Sequence, residues 1–242
     1  NNMAKKTGLF WLRNDFRITK NYGLAEATKN HEQVVVFYLY KKSTYKNQEA
    51  QKWWLSKSLF NFQKKLNDFN INLEVIKTDS FKVFFDKLFK KKEISIYWNK
   101  VYEPDYLKFD EYLSKNLKTN NIPFKICKGN TLNEIDEVKK GDGTPFKVFT
   151  PFWRNAEKYY FEKIPPKEKM LKKCLRKKKF FLTCINPREI LPKKNWYQNF
   201  EKIWSPSEES ALKELRNFVK YRIMNYSDGR NFPNIIGTSK LS

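Results

Sequence analysis

The sequence predicts an α/β fold: a doubly wound, five-stranded parallel sheet, followed by a linker and a short helical segment. Two observations carry this expectation. Short apolar runs rich in β-branched and aromatic residues recur five times in the first 130 residues, each followed by a stretch long enough for a helix. Within three of those stretches the apolar residues recur at three- and four-residue steps, and strand–helix alternation of this kind builds parallel sheets through crossover connections.

The first run, Leu9–Leu12, is continuously apolar, as a strand buried on both faces should be. Val34–Tyr40 is the second. Between Ala50 and Phe69, Trp54, Leu55, Leu59, Phe62 and Leu66 share one helical face, which would cover the sheet. Leu73–Ile76 is the third strand, and Phe81–Phe89 repeats the helical pattern with Val83, Phe84, Leu88 and Phe89. Ile94–Trp98 is the fourth strand. The next helix, Asp105–Leu117, carries Tyr106, Phe109, Tyr112, Leu113 and Leu117, and Phe124–Cys127 is the fifth strand. Trp11, Trp53, Trp54 and Trp98 fall on these apolar faces and are expected in the core.

Beyond the fifth strand the pattern changes. Lys163–Lys194 holds a cluster of cations (Lys172, Lys173, Arg176, Lys177, Lys178 and Lys179), only Glu168 and Glu189 as acids, and four prolines, which reads as a surface connection. From Trp204 onward, Leu212, Leu215, Phe218, Val219 and Ile223 form another helical face. The boundaries expected are 1–130 for the α/β unit, 131–204 for the connection and 205–242 for the start of a helical domain.

Composition narrows the function. A formal charge of +23 points to an anionic partner such as nucleic acid, although the Lys, Asn, Ile, Phe and Tyr usage is also what an A/T-rich genome imposes through its codons. No apolar run approaches the length of a membrane span, and the polar start, Asn1–Lys6, lacks a signal-peptide core, so the expected location is the cytoplasm. Cys127, Cys174 and Cys184 form neither a C-x-x-C pair nor an even set, which argues for buried thiols rather than disulfides or zinc. Neither G-x-G-x-x-G nor G-x-x-x-x-G-K-[ST] occurs, and Gly141-Asp142-Gly143 reads as a turn. The sole histidine, His31, is expected on the solvated surface, and Glu134, Asp136 and Glu137 read as a solvated loop.

Four segments then occur in one order. Leu9–Arg17 is a strand ending in Arg13-Asn14-Asp15-Phe16-Arg17 and followed by Asn21-Tyr22-Gly23-Leu24-Ala25; Trp98-Asn99 precedes Tyr102-Glu103-Pro104; Pro145–Trp153 comes next; and Tyr226, Gly229–Pro233 and Gly237–Ser242 close the sequence. Together they resemble the photolyase and cryptochrome family. The resemblance covers essentially the whole chain and about half the family's usual length, and it implies a Rossmann-like N-terminal domain followed by the first helices of an all-α FAD-binding domain.

In that family Tyr226, Thr238, Ser239, Lys240, Leu241 and Ser242 would contact the FAD phosphates. Small hydroxyl residues after a glycine admit an anion closely, and Lys240 offers charge where the family has arginine, without the planar fork. Arg230 would lie at the DNA-facing rim. A second, light-harvesting chromophore, a folate, deazaflavin or flavin, would sit near the strand ends, with Arg13, Asp15, Asn99 and Glu103 as candidates to line its pocket; folate is disfavoured because Asp105 is followed by Tyr106. Arg13–Asp15 equally reads as a structural ion pair. The implied activity is light-driven, FAD-dependent repair of pyrimidine dimers flipped out of damaged DNA, with the rest of the helical domain supplied by further sequence or a partner chain. Residues 1–242 alone are expected to be inactive. The alternatives are a blue-light photoreceptor of the cryptochrome kind and a stand-alone chromophore-binding α/β module.

Overall fold

A computed structural model describes residues 6–131, 134, 137–162 and 170–241, apart from the side chains of 159–162. Its centre is one parallel sheet of β1 (Thr7–Leu12), β2 (Gln33–Tyr40), β3 (Asn72–Lys77), β4 (Ile94–Asn99) and β5 (Phe124–Cys127), in the order β3-β2-β1-β4-β5. All five expected strands are present within two residues of the expected bounds. The helices between them are α1 (Tyr22–Asn30), α2 (Glu49–Asn67), α3 (Phe81–Leu88) and α4 (Pro104–Thr119).

Alternation along the strands sorts the core into two layers. Phe10 and Leu12 of β1 join Val34 and Val36 of β2 beneath Leu24, Leu55, Leu59, Phe62 and Leu66 of α1 and α2. Leu9 and Trp11 face the other way, with Val35 and Phe37, and pack against Phe85, Leu88, Leu113 and Leu117 of α3 and α4. Trp11 meets Phe81, Phe85 and Phe109 edge-on at 5.0–5.7 Å, geometry that adds to burial. Caps set the helix starts: Asn21 accepts from Leu24 N at 3.2 Å, Ser80 accepts from Val83 N at 3.4 Å, and Pro104 occupies the first turn of α4.

Two expectations are corrected here. His31 is buried rather than solvated, its ring nitrogens lying 2.8 Å from the Lys6 carbonyl and 3.0 Å from the Tyr97 hydroxyl; Gly8 of β1 makes room, since a Cβ there would come within 2.8 Å of the imidazole. Trp54 is 43% exposed, because α2 turns Trp53, Leu55 and Leu59 inward and leaves Trp54 edge-on to Trp204 at 6.1 Å. The basic connection, its cations exposed, is tied to the α/β unit: Cys174 is buried, Phe180 and Phe181 pack on the core, and Ile185 N donates to the Val75 carbonyl at 2.9 Å. Its anchor is Glu74 of β3, a buried carboxylate that accepts from the backbone N–H groups of Phe180 and Phe181 at 2.8 and 2.7 Å.

Three further helices and a single turn complete the fold: α5 (Phe149–Glu162), α6 (Gln198–Ile203), α7 (Glu208–Tyr221) and α8 (Tyr226–Gly229). Helix α7 is tied to the α/β unit through Glu208, whose carboxylate accepts from Ile18 N at 2.8 Å, Thr19 N at 3.1 Å and the Thr19 hydroxyl. Phe149, Trp153, Leu215 and Val219, on α5 and α7, are exposed.

Candidate functional site

The strand order reverses between β1 and β4, and ligands of open α/β sheets bind at the carboxyl ends of the strands at such a point. A cleft of about 380 Å³ lies there, lined by residues that follow β1, β4 and β5, among them Asp15, Arg17, Asn99, Tyr102, Glu103 and Thr131.

Asn99, the last residue of β4, organises the floor. Its amide donates to the Asp15 carboxylate and, at 2.8 Å, to Asn21 Oδ1, while its own Oδ1 accepts from Gly23 N at 2.8 Å. This pulls the start of α1 against β4, and only glycine permits it: a Cβ on Gly23 would stand 2.7 Å from Asn99 Oδ1 and 2.8 Å from the Phe10 ring. Burial pushes the Asp15 carboxyl above its ordinary value, against the Asn99 hydrogen bond and the charge of Arg17. One wall is polar and preordered: Thr131 donates to the Tyr102 hydroxyl at 2.9 Å, which donates to Glu134 at 2.9 Å, and Lys100 pairs with Glu134 at 3.3 Å. Glu134 is therefore half-buried and engaged; Asp136 lies outside the described residues. The cleft thus offers donors, acceptors and the Tyr102 ring to a small molecule.

Of the four candidates for this pocket, Asp15, Asn99 and Glu103 line it and Arg13 does not. Arg13 is buried beneath, its guanidinium forked onto the Asp110 carboxylate at 2.9 and 3.2 Å, bonded to the Asn99 carbonyl, and stacked 4.8 Å from Trp11. It belongs to an ion pair with Asp110, not with Asp15. Burial raises the Asp110 carboxyl, opposed by Arg13. Asp110 was missed because on sequence it is one polar position on an amphipathic helix.

The closing segment forms a second, more open cluster. Gly229 and Gly237 cross so closely that a Cβ on Gly237 would lie 2.4 Å from the Gly229 carbonyl, which folds 237–241 back beside α8. Arg222 donates to the Thr238 carbonyl at 3.3 Å; Tyr226 sits edge-on to Phe218 at 5.6 Å, with the Arg230 guanidinium 5.5 Å from its ring. Ser239 Oγ accepts from Leu241 N at 3.2 Å, and Lys240 takes a left-handed φ of 54°. Leu241 borders a cleft of about 1070 Å³ between α2 and α7 that also contains Trp54 and Glu208. Arg222, which sequence reasoning passed over, adds a cation to this cluster; Ser242 lies outside the described residues. A lysine and two hydroxyls around a close glycine crossing, beside Arg222, which pairs with Glu214 at 3.6 Å, suit a phosphate-bearing cofactor.

No helix among the described residues is long and apolar enough to cross a membrane, and no cluster of three or more metal-ligating side chains occurs among them. Comparison with known proteins agrees with the geometry. A deoxyribodipyrimidine photo-lyase of Agrobacterium fabrum is 28% identical over 99% of this chain and 50% of its own length. Cryptochrome-1 of Arabidopsis thaliana is 25% identical over 97% of the chain and 35% of its own length. The crystal structure of a bacterial class III photolyase from Agrobacterium tumefaciens superposes with a TM-score of 0.82 at 27% identity, over 98% of this chain and 49% of that one. The chain spans about half the length of the photolyases it matches. The family model for DNA photolyase matches residues 8–170, more than half of the chain, and the chain belongs to that family.

Proposed function

We propose that the chain is the N-terminal part of a deoxyribodipyrimidine photolyase, a carbon–carbon lyase that repairs UV-induced pyrimidine dimers in DNA in the cytoplasm. The observation that carries this reading is the coexistence of the switch-point cleft with the glycine-crossed segment 226–241 in one chain similar to photolyases along its length. FAD, when bound, supplies light-driven electron transfer. The work of these residues is to hold its phosphate end: Thr238, Ser239, Lys240 and Leu241 offer hydroxyls, backbone N–H groups and a cation, with Tyr226 beside them. Arg230 faces the DNA phosphates. The switch-point cleft would take a light-harvesting chromophore, with Asp15, Asn99 and Glu103 on its walls. The remainder of the flavin site comes from the helical half that the relatives possess, as further sequence or as a partner chain. Similarity to a cryptochrome keeps a photosensory role as the second reading.

The test joins residues 1–242 to the helical half of the Agrobacterium fabrum relative and measures FAD content and blue-light repair of a dimer-containing oligonucleotide. The joined protein is expected to bind FAD and repair; FAD binding without repair would favour the photoreceptor, and no FAD binding would overturn the assignment of the segment. Residues 1–242 alone are expected not to repair, and robust repair by them would refute that expectation.

A further inference from the structure

At the end of the sheet opposite the switch-point cleft, residues 170–183 carry six cations and no carboxylate. They lie across the beginnings of β2 and β3. Lys172 N donates to Thr28 Oγ1 at 3.1 Å, Cys174 N to the Phe69 carbonyl at 2.9 Å and Arg176 N to the Glu32 carbonyl at 3.0 Å, while Asn70 donates to the Cys174 carbonyl at 3.0 Å. The backbone is thus fixed on both sides, with Cys174 buried as its anchor, and Lys172, Lys173, Arg176, Lys177, Lys178 and Lys179 all project into solvent. Lysines on neighbouring turns extend the field: Lys29 ends α1, and Lys90, Lys91 and Lys92 precede β4. Acids at this end are few. Glu32 pairs with Arg176 at 3.5 Å, and among the described residues no other carboxylate pairs with the strip.

A bland account is that cations gather where helices end, but the dipoles of α1 and α2 call for one or two charges, not six on a segment that is not helical. A lipid surface is a poorer match than a nucleic acid. The aromatic residues that would anchor in a headgroup layer, Phe180 and Phe181, pack against the core, and although Leu175 and Leu182 are exposed, the strip has no helix to gather them on one face among its lysines. With its bend at Leu175 the strip of eight residues reaches at most about 26 Å. Over that length duplex DNA presents a phosphate every ~1.7 Å of its axis.

We infer that this strip is a lesion-independent docking surface for the phosphate backbone of duplex DNA, separated from the switch-point cleft by the length of β2, about 26 Å. The inference rests on DNA being the chain's partner but not on flavin binding or repair, so it can fail or stand separately from them. The variant Lys172→Gln/Lys173→Gln/Lys178→Gln/Lys179→Gln tests it against an undamaged duplex, with Lys42→Gln/Lys46→Gln and the unaltered chain alongside, over a series of salt concentrations. The four-lysine variant is expected to lose about tenfold or more in affinity, and the slope of log K against log salt to become shallower by roughly 0.9 for each phosphate no longer neutralised. Lys42→Gln/Lys46→Gln, which removes two exposed charges beyond the far end of β2, should bind undamaged duplex nearly like the unaltered chain. Lys178→Gln/Lys179→Gln, which leaves the anchored part untouched, should show about half the slope change and guards against misfolding. Equal affinity and slope for variant and unaltered chain would overturn the inference. So would binding to phosphatidylserine-containing vesicles that the variant loses, without any duplex binding.

Discussion

At the residue scale the buried carboxylates govern how the switch-point region responds to change. Arg13→Ala would leave Asp110 charged and unpaired in the core, with an expected loss of about 3–5 kcal/mol in urea unfolding, whereas breaking the exposed Lys82–Asp86 pair should leave the unfolding midpoint essentially unchanged. Asp15 and Asp110 both have folded values raised by burial. An acid of this kind binds more protons folded than unfolded, so its stabilising share is complete below the unfolded value near 3.9 and is lost as pH rises through the folded value. Asp15→Asn should therefore reduce the fall in stability across that window, measured by thermal unfolding at stepped pH; an unchanged profile would remove Asp15 as its source. Part of this was legible from residues alone. The cluster after β1 announced itself as more than a strand end, and Asp15, Asn99 and Glu103 were marked there. The partner of Arg13 was not, because an ion pair between residues 97 positions apart leaves no local signature.

Among the elements, the strands and the sheet-covering helices read clearly because burial on both faces imposes apolar runs and three-to-four-residue steps. Helix α5 was less legible: its stacked Phe149 and Trp153 face solvent, so no buried stripe marks it. Docking of α7 was invisible too, because its main tie is one carboxylate meeting two backbone N–H groups far away in sequence. Glu208→Ala should cost about 1–3 kcal/mol and expose the segment 204–207 to limited proteolysis. Unaltered cleavage would mean that the salt bridge of Lys65 with Glu209 and the hydrogen bond from Asn61 to the Pro206 carbonyl suffice to hold the helix. Gly237→Ala places a methyl group against the Gly229 carbonyl and should abolish the fold-back of 237–241. FAD affinity of the joined protein, read by fluorescence titration, should drop at least tenfold while the switch-point cleft is untouched.

For the whole molecule, α5 and α7 leave Phe149, Trp153, Leu215 and Val219 exposed, and under the proposed function the helical half would cover them. Residues 1–242 alone should self-associate in sedimentation velocity, and Leu215→Glu/Val219→Glu should shift them toward monomer; a monomer before substitution would show that these faces tolerate water. The connection has a different consequence, for synthesis. Strand β3 leaves the ribosome about a hundred residues before Ile185, which closes over it by pairing with Val75, so at roughly 5–20 residues per second the open edge of β3 waits some 5–20 s for its cover. An unpaired strand edge invites pairing with another chain, which makes translation speed and chaperone supply, rather than final stability, the factors that should set the yield of folded protein.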